Sequence, residues 1–449
     1  MTTLNTQEII ERRAQSEPLS AASLIARTSV TSRGQKIAFF GHFGRGNFGN
    51  ESTLQAMLCN LRRLAPDAEF NCICTGPETV SATYGISAEP SRSTVVKRWT
   101  PHNGAARWWR KLVVGIPSEL YRWLSGPRIL CDAEALIVPG TGVLTDAFTL
   151  LEWGPYDMFR WAVTAKLCRC KVLFVSIGAG PIYSRRGRIL VKAALFLADF
   201  RSYRDESTLQ YLKGIGFHTG ADPVYPDLAF SLPKSLAPRS QEKRGRRLVV
   251  GLGLMEYAGK YSIANPDNAV FSAYLEKLVE FVRWLLAQDF DVRLLIGDLA
   301  DVPVTQEFRS LLKQRVVYEE GRIIDEPVAS VDDLLSQIAA TDFVVATRFH
   351  NVLLSLMLNK PSIAISFHHK CSSLMSQMGL SQYCQDINRL NADRLIEQFC
   401  DLEKNAETLK PLIKNKAEEF RRALDEQYDR IFRVLRPDCG DSLKAMTTQ

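Results

Sequence analysis

Arg348 and His350 stand two residues apart in Thr347-Arg-Phe-His350, inside a stretch with no carboxylate. From Phe343 to Gln385 there is no Asp or Glu. An even scatter of the chain's 49 acids would place about four or five there. The same stretch holds Lys360, His368, His369 and Lys370. Cations without a competing acid suit an anionic ligand, and a histidine among them suits proton transfer near neutral pH. A second acid-free stretch, Met158 to Ala198, contains Arg185, Arg186 and Arg188. Arg204 follows in Ser202-Tyr-Arg-Asp-Glu-Ser207. Its guanidinium can fork onto a carboxylate or phosphate of a ligand, or pair with Asp205 or Glu206.

Gly-rich turns supply a second kind of chemistry. Gly41-His-Phe-Gly-Arg-Gly-Asn-Phe-Gly-Asn-Glu-Ser52 places Gly46, Asn47 and Glu51 just before a helical pattern. Glycines let backbone approach a ligand closely, and the free N–H groups of a helix start favour an anion. The spacing is not G-x-x-x-x-G-K-[ST], which excludes a Walker-type nucleotide loop. Pro139-Gly-Thr-Gly-Val-Leu-Thr-Asp146 is similar, with Gly140, Gly142 and Asp146, as is Gly178-Ala-Gly-Pro181. No His/Cys/Asp/Glu spacing of the usual metal-binding kinds occurs, so no metal is expected.

These residues need rigid elements behind them. Lys36–Gly41 reads as an apolar strand, and Glu51–Leu64 as a helix with Leu54, Met57, Leu58, Leu61 and Leu64 on one face. Strands at Phe70–Thr75, Ala135–Pro139, Lys171–Gly178 and Phe200–Asp205 alternate with helices at Arg188–Asp199 and Glu206–Gly214. After a Pro- and charge-rich linker the rhythm restarts. Strands are expected at Leu248–Leu254, Asp291–Gly297, Asp342–Thr347 and Ser362–Ser366, and helices at Asn268–Gln288, Val331–Ala340, Phe349–Leu358 and Lys370–Gly379. Apolar strands alternating with helices predict an α/β fold of two doubly wound, Rossmann-like domains with parallel sheets. The expected division is a flexible arm (1–35), a first domain (36–230), a linker (231–246), a second domain with C-terminal helices (247–435) and a tail (436–449). Ligands of such pairs bind at the carboxyl ends of the strands, in the cleft between domains.

Composition sets the outer bounds. The chain has 449 residues, 46% hydrophobic and 23% charged, enough to bury a core throughout. This excludes collagen-like, coiled-coil and low-complexity classes. Ten cysteines over this length are not a disulfide scaffold and read as reduced thiols of a cytosolic protein. A net charge of +7 is mild, so no nucleic-acid partner is expected. Residues 1–35 lack the apolar core of a signal peptide, and no apolar run approaches the ~20 residues that span a bilayer. Between Pro90 and Ser118 there is no acid, and Arg107-Trp-Trp-Arg-Lys continues to Tyr121-Arg-Trp123. Interleaved aromatics and cations predict either a peripheral contact with the inner membrane face or a helix packing its Trp inward.

With these motifs placed, the chain resembles the polysaccharide pyruvyl transferase family. Gly46-Asn47-Phe48-Gly49-Asn50-Glu51 is similar to that family's Gly-Asn-x-Gly-Asp-Glu opening, with Asn50 where Asp is usual. Gly140–Asp146 resembles its Gly-Gly-Gly-x-x-x-Asp turn, with Thr141 replacing one Gly. Arg204-Asp205-Glu206 matches its Arg-Asp-Glu, Arg348-Phe349-His350 its Arg-x-His, and Lys370 a Lys after the next strand. The resemblance covers roughly residues 36–385.

The resemblance implies a glycosyltransferase-B-like pair of domains and no cofactor, with phosphoenolpyruvate as co-substrate. It implies a sugar acceptor, free or lipid-linked, and a cyclic pyruvate ketal on a cell-surface glycan or its precursor. In that reaction His350 is the expected general acid. Arg348, Arg204, Lys370, Gly46 and Asn47 are expected on the donor. Glu51, Gly140, Gly142, Asp146, His368 and His369 are expected at the acceptor or the cleft wall. Two alternatives share the architecture: a nucleotide-sugar-dependent glycosyltransferase and a non-catalytic glycan-binding protein. The acid-free stretch Phe343–Gln385 offers no carboxylate for a nucleotide ribose, which counts against the first.

Overall fold

A computed structural model describes residues 35–92, 111–140, 142, 144–146, 154–236, 247–257 and 268–436. The arm (1–34), most of the linker, Thr141, the segment Arg107–Arg110 and residues 437–449 lie outside the described residues. Residues from Gln35 onward form one compact unit that carries two sheets.

The first sheet is built from β1 (Lys36–Phe40), β2 (Glu69–Cys74), β3 (Ser87–Pro90), β4 (Ala135–Pro139), β5 (Lys171–Ile177) and β6 (Phe200–Tyr203). The second uses β7 (Val249–Leu254), β8 (Asp291–Ile296), β9 (Ile323–Ile324), β10 (Phe343–Ala346), β11 (Ser362–Ser366) and β12 (Cys384–Asp386). Their orders are β3-β2-β1-β4-β5-β6 and β12-β11-β10-β7-β8-β9. The ladders are parallel, with Ile37 opposite Phe70 and Ala135, and Val344 opposite Gly251 and Ser362. Each order reverses once, between β1 and β4 and between β7 and β10, and the loops after those strands flank the crevice where such folds bind ligands.

The helices of the first lobe are α1 (Phe48–Leu64), α2 (Pro77–Tyr84), α3 (Ile116–Leu130), α4 (Pro155–Leu167), α5 (Arg185–Phe196) and α6 (Glu206–Gly214). Those of the second are α7 (Asn268–Ala287), α8 (Val302–Arg315), α9 (Val331–Ala339), α10 (Phe349–Met357), α11 (His369–Gln377), α12 (Ala392–Lys404) and α13 (Ala406–Leu435). Successive strand residues bury opposite faces. Ile37 and Phe39 join the apolar cluster that continues into the second lobe, whereas Ala38 and Phe40 join a separate cluster under α4 and α5. Both faces are therefore apolar, and the strands read as unbroken hydrophobic runs.

Helix starts differ from the sequence reading because caps decide them. α1 begins at Phe48 rather than Glu51 because the Asn47 side chain accepts from the Asn50 N–H at 3.1 Å. α5 begins at Arg185 rather than Arg188 because Ser184 caps the Gly187 N–H. The C-terminal helical region is two helices, broken at Asn405. α13 returns to the first lobe. There the buried Gln427 amide donates to Ser176 and Ser202, the Tyr428 hydroxyl meets that of Ser231 at 2.9 Å, and Lys171 Nζ donates to the Val434 carbonyl at 2.6 Å.

Candidate active site

The loop after β1 is anchored to the second lobe. Asn47 Nδ2 donates to Asp298 at 2.7 Å, the Phe48 N–H to the Gly297 carbonyl at 3.1 Å, and the Leu299 N–H to Gly46 at 3.0 Å. Gly46 has φ +80°, and a Cβ there would lie 2.5 Å from the Leu299 side chain, so both conformation and space require glycine. A Cβ at Gly49 would fall 1.9 Å from His350 Nδ1. The imidazole thus rests directly on the backbone of the first turn of α1. One step further along, a Cβ at Gly142 would be 3.3 Å from Lys370 Nζ.

Arg204, just beyond β6, is buried beneath these groups. Its Nε lies 3.3 Å from Asp205 and its Nη1 3.5 Å from Asp227 Oδ2, and its guanidinium faces the Phe349 ring at 5.2 Å. The alternative reading of Arg204, an ion pair with Asp205, is thus realised, but it leaves Nη2 without a hydrogen-bond partner. Asp227 Oδ2 also lies 3.7 Å from His350 Nε2. Both contacts exceed hydrogen-bond length, and among the described residues Arg204 Nη2, Asp227 Oδ2 and His350 Nε2 are buried polar atoms without hydrogen-bond partners. Such groups are costly in a protein interior and are retained where they meet a ligand's oxygens. Burial opposes ionisation of Asp227, yet His350 and Arg204 hold its carboxyl below the ordinary range. Burial likewise opposes ionisation of Asp205, and Arg204 with the Ser207 and Thr208 hydroxyls holds it at about 2.

Several expected residues occupy different positions. Arg348 is not a free cation: its Nε and Nη2 fork onto the buried Asp301 at 2.8 and 2.6 Å, and its Nη1 lies 4.0 Å from Asp298. The carboxylates missing from its own stretch arrive from the end of β8. Glu51 points beneath the first loop, where it accepts from the Gly44 N–H at 2.6 Å and from Tyr84. Burial raises its pKa to about 7. Asp146 accepts from the Tyr183 and Ser184 N–H groups at 2.7 and 2.8 Å and braces the approach to α5. His368 caps α11 through Nδ1, its ring 4.1 Å from that of His369; burial and then Lys370 lower it to about 3. His369 is exposed. Gly140 packs against Thr53 and Leu228. The structure thus brings together Asn47, Gly49, Gly142, Arg204, His350 and Lys370. Sequence reasoning missed Asp227, Asp298 and Asp301. The signal for the last two was available, as two acids directly after an apolar strand in Gly297-Asp-Leu-Ala-Asp301.

A model of the polysaccharide pyruvyl transferases matches residues 47–369, almost three quarters of the chain, including Asn47, Arg204, Asp227 and His350 and ending one residue before Lys370. The chain belongs to the polysaccharide pyruvyl transferase family. It is accordingly an enzyme, a phosphoenolpyruvate-dependent transferase of polysaccharide biosynthesis. A relative 25% identical over 426 aligned residues, spanning 86% of this chain and 96% of its own length, is the amylovoran biosynthesis protein AmsJ of Erwinia amylovora. Among solved structures, a UDP-N-acetylglucosamine 2-epimerase assigned in Listeria monocytogenes superposes with a TM-score of 0.57 at 12% identity, over 88% of this chain and 97% of that one. MnaA of S. aureus, solved with UDP, gives 0.56 at 11% identity, over 89% and 97%. At these identities the likeness establishes the bilobed, glycosyltransferase-B-like fold.

Lys370 gives this pyruvyltransferase a testable pH dependence. Burial lowers its ammonium to about 8, and Arg204 adds repulsion. The unfolded chain keeps that proton to about 10.4. Between the two values the folded protein binds fewer protons, so this group's contribution to stability rises with pH. Its attraction for an anion moves the opposite way, complete below about 8 and lost above it. kcat/KM for phosphoenolpyruvate should therefore fall as pH rises through about 8, without a matching fall in melting temperature. Lys370→Arg should shift that limb to higher pH. A limb that stays in place in this variant would assign it to another group.

Proposed function

We propose that the protein transfers pyruvate from phosphoenolpyruvate to two hydroxyls of one sugar, forming a cyclic ketal on a cell-surface polysaccharide or its precursor. The observation that supports this most is the convergence of His350, Asp227 and Arg204 with Lys370 between the two lobes. Arg204 Nη2 and Lys370 take the donor's carboxylate and phosphate. His350, protonated, gives its proton to the methylene carbon, which makes C2 electrophilic. One sugar hydroxyl attacks C2 and loses its proton, phosphate leaves, and the second hydroxyl closes the ring with loss of its own proton. Asp227 sits beside the imidazole, its Oδ2 3.7 Å from Nε2, and positions the ring. Arg348 acts indirectly: through Asp301 and Asp298 it fixes the loop that carries Asn47. Among the described residues no group of acids, histidines and cysteines could hold a metal, and these steps call for no cofactor.

The proposed compartment is the cytoplasm, where the donor is a metabolite. The division into residues 36–230 and 247–435 joined by 231–246 also stands as a proposal. The deciding experiment incubates purified protein with phosphoenolpyruvate and surface-glycan precursors, then follows phosphate release and ketal formation by mass spectrometry. Thermal stabilisation by phosphoenolpyruvate but not by UDP or GDP is the expected companion result. Stabilisation by a nucleotide with no ketal formed would favour a nucleotide-sugar glycosyltransferase.

A further inference from the structure

The helical layer α3–α4–α5 on the outer face of the first sheet buries its inner side normally and leaves an unusual outer side. Nine of the sixteen exposed large apolar side chains among the described residues lie on it or on the turns entering it. α3 has fifteen residues and buries only Gly126 and Leu130. Ile116, Leu120 and Leu124, one helical turn apart, are 59%, 59% and 67% exposed, and Val113 extends the row by a turn. On α5, Ile189 and Phe196 share a face with Arg185, and Phe196 is 79% exposed. The row runs about 16 Å from Val113, in the turn before α3, to Leu124.

Charge distinguishes what can cover this face. The three helices carry eight Lys and Arg residues and two carboxylates, an excess of six where the whole chain has an excess of seven. Both carboxylates are engaged, Glu119 by Arg122 and Tyr156, Asp157 by Arg92 and Arg160. Arg128, Arg185, Arg186 and Arg188 are exposed and make no ion pair among the described residues. A second copy of the chain placed on this face across a two-fold axis would bring two such cationic surfaces together, a repulsive arrangement. A sheet of anionic headgroups over hydrocarbon matches both the aliphatic row and the cations. Trp123, for which the sequence left open a membrane contact or inward packing, is half-buried and donates to the Tyr156 hydroxyl at 3.0 Å. The exposed anchors are aliphatic.

We propose that the α3–α5 face rests on the surface of a membrane rich in anionic lipid. The proposal does not depend on the transfer reaction, because none of these residues touches the cleft groups. The test is co-sedimentation of the full chain with vesicles of phosphatidylcholine alone or mixed with phosphatidylglycerol, at low and moderate salt. The parent should bind the mixed vesicles only, and less well as salt screens the attraction. Arg185→Gln, Arg186→Gln and Arg188→Gln combined should weaken partitioning about a hundredfold, at roughly fivefold per cation near an anionic surface. Ile116→Ser, Leu120→Ser and Leu124→Ser combined should abolish it. Both variants should melt like the parent and keep its turnover with a soluble acceptor, because the altered side chains are exposed. Absence of parent binding, or variants that bind as the parent does, overturns the proposal. So does a dimer, seen by light scattering, that the serine variant dissolves while vesicle binding stays absent; the second copy is then the occupant.

Discussion

A His350→Ala enzyme should turn over about 100-fold more slowly, or worse, while its donor affinity changes far less. The expectation rests on position. His350 opens α10 at the carboxyl end of β10, its Nδ1 side resting on Gly49 and its Nε2 side facing Asp227 at 3.7 Å. The Phe349 ring meets it edge-on at 5.0 Å and limits its rotation. Among the described residues no acceptor lies within hydrogen-bond length of Nε2, which leaves that atom open to substrate. Asp227→Asn should keep the ring in place but remove the charge facing Nε2, giving a smaller loss of kcat with little change in donor KM or melting temperature. Such a split between kcat and KM separates a positioning role for Asp227 from a purely structural one. Single-turnover kinetics in saturating donor are the appropriate measurement. Near-parent turnover in a folded His350→Ala protein removes His350 from the mechanism.

The fold was readable because the central strands are nearly continuous apolar runs and the loops after them break the run with glycine or a charged residue. KIAFF, KVLFVSI and SIAIS leave no choice but a sheet covered on both faces. Helix starts were less readable, since Asn47 and Ser184 act as caps only through side-chain geometry. β9 has two residues and β12 three, too short for any pattern to register. Within the candidate site, local sequence singled out Arg204, His350 and Lys370, which the fold brings together, because each stands just beyond a strand end. It misplaced Arg348, because the acid that binds it, Asp301, lies 47 positions earlier and reaches it only through the pairing of β7 with β8 and β10. It missed Asp227 for a related reason. That residue caps a short 3-10 turn, Leu228–Ser231, and becomes a partner of His350 only when the two lobes meet.

Arg204→Ala should damage both stability and donor use. The guanidinium is 6% exposed and is the cation nearest to both Asp205 and Asp227. Removing one partner of a buried charged group costs about 3–5 kcal/mol, chiefly because the remaining charge stays buried. Asp227 would keep His350 and the Ala229 N–H, and Asp205 its Ser207 and Thr208 hydrogen bonds. The pH dependence has a definite sign. In the parent both carboxyls lie below their ordinary value, Asp205 at about 2. Their contribution is therefore complete above the unfolded pKa of about 3.9 and is lost as pH falls toward the folded value. Without Arg204 both folded values rise, so the variant's loss relative to the parent should be largest at pH 7 and should shrink on acidification, as protonation neutralises the stranded carboxylates. Urea melts at pH 7 and near pH 4.5 measure both effects. Donor kcat/KM should fall by about 100- to 1,000-fold, the range for removal of one fixed electrostatic contact in a closed site. Arg204→Lys separates the two roles, because it keeps a charge for Asp227 but not the fork. It should recover most of the stability and little of the donor kcat/KM. Full recovery of both would mean that Arg204 acts as a buried counter-ion, with Lys370 alone holding the donor's anionic groups.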